Sequence, residues 1–302
     1  MRKSIISVIF ILSGIVLQAQ PFVDVAAFRH NYFGITDYKY NTATLSSSQN
    51  LAELFFPAKL KSGDMLLFGA DANHLHFYAP GTYQNDHDLL ATSLQLGVVH
   101  PFGKEKKWKF MGMLLPKISS DFQEIRKNDL QLGGIFLFTY VRKAAMKLKF
   151  GMYYNREFYG NYFMPLAGID WKVSPKSYIF GVVPGNLHYE YHIAKPLYFQ
   201  ASYRSSSGSF RLGEHYNNYY VREGGNFFGD TQFSGAFSFY PMKMLALNVG
   251  GGYTFYRWFR AESSKNVPAH DMDMFTITKN HWFITFGAAF RVRLDKDYEE
   301  KK

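Results

Sequence analysis

Near the end of the chain, His281 to Leu294 constrains the fold more than any other stretch. Every second residue from Trp282 is apolar: Trp282, Ile284, Phe286, Ala288, Phe290, Val292 and Leu294. The intervening set, His281, Phe283, Thr285, Gly287, Ala289, Arg291 and Arg293, is small, polar or cationic apart from Phe283. Period-two alternation of this length describes a strand with one greasy face and one wet face. It exceeds the ordinary globular strand of about 5–6 residues. It suits a tilted strand crossing a bilayer, which needs roughly 9–11 residues in the hydrocarbon plus its ends. The expected fold is therefore all-β, a single antiparallel transmembrane β-barrel closed by this strand against the first.

Composition agrees. Aromatic residues make up 19% of the chain, with 30 Phe and 22 Tyr, yet mean hydropathy is slightly negative. Beyond residue 19 no apolar run approaches the ~18 residues of a spanning helix, which excludes a helical membrane protein. A barrel hides its membrane signal in alternation. Residues 1–19 differ from the rest: Arg2 and Lys3 precede an apolar run from Ile5 to Leu17, and Ala19 is small. This reads as a secretory signal peptide cut after Ala19, too short for a helical anchor, followed by one barrel domain over 20–302. The chain has no cysteine, hence no lipid-attachment site and no disulfide. The net charge is +10, or +8 without Arg2 and Lys3. The basic residues are scattered, with no basic helix or nucleic-acid motif, so no nucleic-acid partner is expected.

Turn residues divide the mature chain into fourteen strands, near 21–33, 51–60, 64–78, 88–102, 106–120, 129–141, 146–158, 161–173, 177–183, 187–194, 197–205, 230–240, 243–259 and 281–294. The even count leaves both ends on the periplasmic side, as single-chain bacterial barrels require. Two strands are short, and twelve is the alternative. The longest outer loops are 206–229 and 260–280. A soluble β-sandwich would have shorter strands and fewer outward aromatics. Aromatic girdles at both interfaces account for Trp108, Trp171 and Trp282, which alternation turns toward lipid. Trp258 comes out facing the lumen and is an exception.

The segment MPLAGIDWKVSPKSYIFGVVPGNLHYEY, residues 164–191, with its WKVSPK turn and following PGN, resembles the uncharacterised outer-membrane barrels of Bacteroidota, a domain of unknown function. The resemblance implies a fold and a location in the cell outer membrane, with outer-membrane lipid, lipopolysaccharide and the barrel-assembly machinery as partners. It implies no catalytic residue.

By alternation Lys109, Lys147, Lys149, Lys172, Arg291 and Arg293 face inward near the periplasmic mouth. Asp170 is close by, and Glu190 and Asp71 lie elsewhere in the lumen. A ring of cations with few acids favours anions; the opposing reading is that these side chains pair and fill the lumen. On the tenth strand His188, Glu190 and His192 share an inward row. Two imidazoles and a carboxylate are donors for a divalent metal, but three ligands on one strand face rarely converge, so a hydrogen-bonded network without a metal is expected. His74 and His76 read as interfacial, and Asp271 and Asp273 as an exposed acidic loop rather than a Ca²⁺ site. There is no GxSxG, P-loop, CxxC or dinucleotide motif, and no cofactor is expected. The leading function is a narrow, anion-preferring pore for small solutes. A plugged structural or surface-binding barrel is the alternative, and a lipid-modifying enzyme ranks third.

Overall fold

A computed structural model describes residues 20–37, 44–80, 86–216, 219–224, 229–255, 257–263 and 278–295. The expected signal peptide and the Asp271/Asp273 loop lie outside the described residues. Fourteen antiparallel strands form a closed barrel: β1 (Phe22–Asp37), β2 (Thr44–Lys59), β3 (Met65–Tyr78), β4 (Asp86–Phe102), β5 (Trp108–Ser120), β6 (Leu130–Lys143), β7 (Met146–Glu157), β8 (Gly160–Ser174), β9 (Ser177–Val183), β10 (Asn186–Ala194), β11 (Leu197–Ser206), β14 (Asp230–Met242), β15 (Leu245–Phe255) and β17 (His281–Arg293). Three further strands, β12 (Gly208–Arg211), β13 (Tyr220–Glu223) and β16 (Phe259–Glu262), interrupt this series in sequence and pair with one another, with a single bridge from β12 to the wall.

Closure occurs where β17 pairs with β1, with Phe22 opposite Arg293 and Tyr32 opposite Ile284. Each wall strand thus has a neighbour on both sides, the arrangement that lets strands cross hydrocarbon without orphaned backbone groups. The alternation in β17 sorts as the pleat requires: Trp282, Ile284, Phe286 and Phe290 are exposed on the outside, while Phe283, Thr285 and Arg291 are buried inside. Phe28, Phe68, Leu94, Leu114, Phe136, Phe150, Phe163 and Phe237 continue the exposed apolar surface around the barrel. Phe283, the one large apolar residue on the wet face, packs on Phe33 with ring centroids 5.2 Å apart. Gly252 opposite it makes room: a Cβ there would lie 2.6 Å from the Phe283 ring.

Trp282 is 75% exposed on the outside, Trp171 is exposed, and Trp108 lies among Phe102, Tyr140 and Phe150. Trp258 has a different setting, because β15 ends at Phe255 and the chain turns away from the wall into β16. The expected thirteenth strand, 243–259, is thus two elements, which removes the exception. Strand β2 begins at Thr44 rather than at 51, since Ser46, Ser47 and Ser48 continue the ladder with β3.

Candidate functional site

The long loops all emerge at one end, which is the outer end of a barrel of this type. There β12, β13 and β16 form a small antiparallel sheet inside the mouth. Its residues Phe210, Leu212, Val221, Phe259 and Ala261 bury against Leu45, Leu75, Phe77, Ala79 and Leu89 from the outer parts of the β2–β4 wall. Phe77 and Phe259 meet edge to face at 4.8 Å. Inward apolar residues at the outer ends of β2 to β4 are the reason the loops fold in, since a water-filled mouth would leave them wet.

Buried polar contacts fasten this sheet. Arg211 forks onto Asp129 and donates to the Glu124 carbonyl at 2.8 Å. Ser209 donates to Glu157 at 2.6 Å and accepts from Gln131 at 3.2 Å. Beside the sheet, Arg257 donates to Asp230 at 2.7 Å and to Ser47 at 3.3 Å, with its guanidinium 3.5 Å from the Phe33 ring centre. Backbone attachment to the wall is slight: β12 meets β5 through one parallel bridge, Arg211 to Ser120.

Below the sheet the lumen is polar. Asp71 accepts from Ser93 at 2.5 Å and from Gln95 at 3.0 Å, and Lys117 reaches Glu157 at 3.2 Å. A cavity of about 70 Å³ is lined by Arg29, Arg204, Arg291, Asp24, Glu53 and His188, among others.

At the short-turn end, expected to be the periplasmic one, five of the six inward cations fall into two groups, and Lys109 stands between Pro101 and Thr139. Arg291 takes both oxygens of Asp24 at 2.5 and 2.9 Å. Arg293 is shared between Glu190 and Asp295, each at 2.7 Å, and lies 4.0 Å from the Tyr198 ring centre. Glu190 therefore belongs to this mouth and not to a separate part of the lumen. On the other side Lys149 donates to Asp170 at 2.6 Å, and Lys147 sits directly opposite Asp170 on the next strand. Lys147 is 5% exposed and its Nζ has no hydrogen-bond partner. Lys172 lies 5.5 Å from the Tyr178 ring centre.

The row of His188, Glu190 and His192 does not converge. His188 Nδ1 lies 2.8 Å from the Ser202 hydroxyl, Glu190 is committed to Arg293, and His192 stacks on Tyr198 at 4.5 Å. Among the described residues no group of three or more His, Cys, Asp or Glu is arranged to hold a metal ion. His74 and His76 point outward near the outer rim, where both approach Asp88 Oδ1, at 2.8 and 3.0 Å. Asn50 joins them to His30.

Sequence reasoning missed Arg29, Arg204, Asp24 and the anchors Arg211 and Arg257. Alternation alone marks Arg29, between outward Phe28 and His30, as an inward cation. The loop anchors carry no such periodic signal.

A family model described as Domain of unknown function (DUF6268) matches residues 74–293. No curated protein matches the sequence. Among solved structures, the COG4313 outer membrane channel from Pseudomonas putida F1 is 8% identical, covering 89% of this chain and 96% of its own, with a TM-score of 0.48. The NanC porin is 8% identical over 88% of this chain and all of its own, at 0.39. A mutant of the TodX monoaromatic hydrocarbon channel is 11% identical over 91% and 90%, at 0.41.

Proposed function

Because the chain belongs to the DUF6268 family, a domain of unknown function, we infer its role from the barrel itself: an outer-membrane pore for small solutes, closed at rest by the inner sheet, with a preference for anions. The observation that carries this reading is the way the closure is built. A polar lumen is stopped by a three-stranded sheet with one apolar face, held mainly by side-chain contacts, with one backbone bridge from β12 to the wall. Such a stopper can leave without unzipping the barrel, because local openings follow the weakest attached unit.

Anion preference rests on a smaller set of cations than the whole basic ring. Arg291 and Arg293 are spent on Asp24, Glu190 and Asp295. Lys149 pairs with Asp170, Lys147 stands opposite it without a hydrogen-bond partner, and Lys109 is an inward cation nearby on β5; among the described residues that surplus favours anions where the low-dielectric wall strengthens the field. Replacing these three lysines by Gln should move the reversal potential in a KCl gradient toward cations. An unchanged reversal potential would count against the preference. A second reading, a permanently plugged barrel acting as a surface-binding scaffold, is favoured by the hydrophobic packing of the sheet. It predicts no conductance even when the anchors are removed.

A further inference from the structure

We propose that Arg29 and Arg204, with Arg291 behind them, form a binding site for a small oxyanion part-way along the lumen. The two guanidinium groups come from well-separated parts of the wall, β1 and β11, and line one cavity. Among the described residues neither has a hydrogen-bond or ion-pair partner, unlike Arg211, Arg257, Arg291 and Arg293, each of which is bound to a carboxylate.

Register explains why they are left over. Arg29 stands opposite Leu51 on one side and Gly287 on the other. Arg204 stands between Asn186 and Gln232. No residue directly opposite either arginine is an acid; Glu53, opposite Ala27 on β2, and Asp24 line the same cavity and leave its three arginines with an excess of positive charge. Asp24 is occupied at both oxygens by Arg291.

Two like charges aimed into one space are unfavourable unless something negative lies between them. The rest of the lining suits that ligand. Asn186, Gln200, Gln232 and Asn248 bring amides, and Ser202 brings a hydroxyl. A guanidinium presents a planar fork that matches carboxylate and phosphate oxygens two at a time. The cavity volume of about 70 Å³ compares with roughly 10–15 Å³ needed per water on such a measure. It holds a handful of waters or one small oxyanion, and excludes a large solute. The site rests on the pore reading in one respect, that solutes reach the lumen, and gives that pore a substrate class: small molecules bearing a carboxylate or phosphate.

The test is equilibrium binding to the full mature chain refolded in detergent micelles, where conduction is not needed. Radiolabelled inorganic phosphate and succinate are the two probes, each in a chloride background. Saturable binding of one probe near one per barrel, weakened tenfold or more in both Arg29→Gln and Arg204→Gln but unchanged in Lys104→Gln, a change in an exposed turn between β4 and β5, is the expected result. The probe that saturates identifies the oxyanion. Should a Gln variant fail to fold, Arg29→Lys and Arg204→Lys keep the charge but lose the fork, and a loss of at least threefold is expected. No saturable binding of either probe to the wild-type barrel overturns the site, as does equal binding by the Arg variants. Binding without conductance would remove the pore and leave this site standing. Conductance without binding would do the reverse.

Discussion

Replacing Arg257 by Ala tests whether the inner sheet is held by its anchors. Arg257 and Asp230 are each 1% exposed, so the variant leaves a carboxylate buried without its cation. Breaking such a pair from one side costs about 3–5 kcal/mol. Asp230 keeps the Thr254 hydroxyl at 2.6 Å and the Gln232 amide at 2.8 Å, which places the loss at the lower end. The stacking on Phe33 is removed with the same side chain and is not an independent addition. A loss of about 3 kcal/mol multiplies the population of the undocked sheet by roughly 150. Amide hydrogen exchange in micelles should then accelerate by about that factor in β12, β13 and β16 while β17 stays protected. The double variant Arg257→Met with Asp230→Asn removes both charges and should return exchange to within about tenfold of wild type. Exchange in the inner sheet unchanged by Arg257→Ala, or raised equally in every wall strand, would refute the reasoning.

Docking should also respond to pH through Glu223, which lies in the inner sheet at 2% exposure. Burial, and then the like charge of Asp230, push its carboxyl up to about 7 from 4.5. The docked sheet therefore retains a proton that the undocked one releases between about pH 4.5 and 7. Docking weakens as pH rises through that window, by roughly 3 kcal/mol in all. Inner-sheet exchange corrected for intrinsic rates should show this slope, and Glu223→Gln should abolish it; a slope that survives the substitution assigns the effect elsewhere. In vesicles of brominated lipid, quenching of Trp108, Trp171 and Trp282 should account for the loss of fluorescence. Trp258→Phe should therefore leave the quenched component unchanged, and a drop in it would place Trp258 on the barrel surface.

Much of the wall is legible because the bilayer imposes a period-two code that each strand repeats. The ninth strand, 177–183, is read to the residue, and the closing strand differs by one. The code fails where lipid stops. Ser46, Ser47 and Ser48 look like loop because the rim does not demand an apolar outer face, yet they pair with β3. It fails again in the long loops, whose Phe210, Val221 and Phe259 are buried by contacts far apart in sequence rather than by alternation. Within the lumen, alternation says which side a charge faces but not what it meets. Arg291 was visible as an inward cation. Its partner Asp24 lies 267 residues away in sequence, brought near only by barrel closure.

Planar-bilayer conductance of the refolded wild-type chain beside an Arg211→Ala/Arg257→Ala variant tests the central claim most directly. The wild type should be closed for most of the record, with brief openings. The variant should conduct steadily, with a reversal potential in a KCl gradient on the anion-selective side. A variant that inserts and shows rapid exchange in its inner sheet, yet passes no current, would contradict a pore closed by that sheet and leave the plugged scaffold as the account of this barrel.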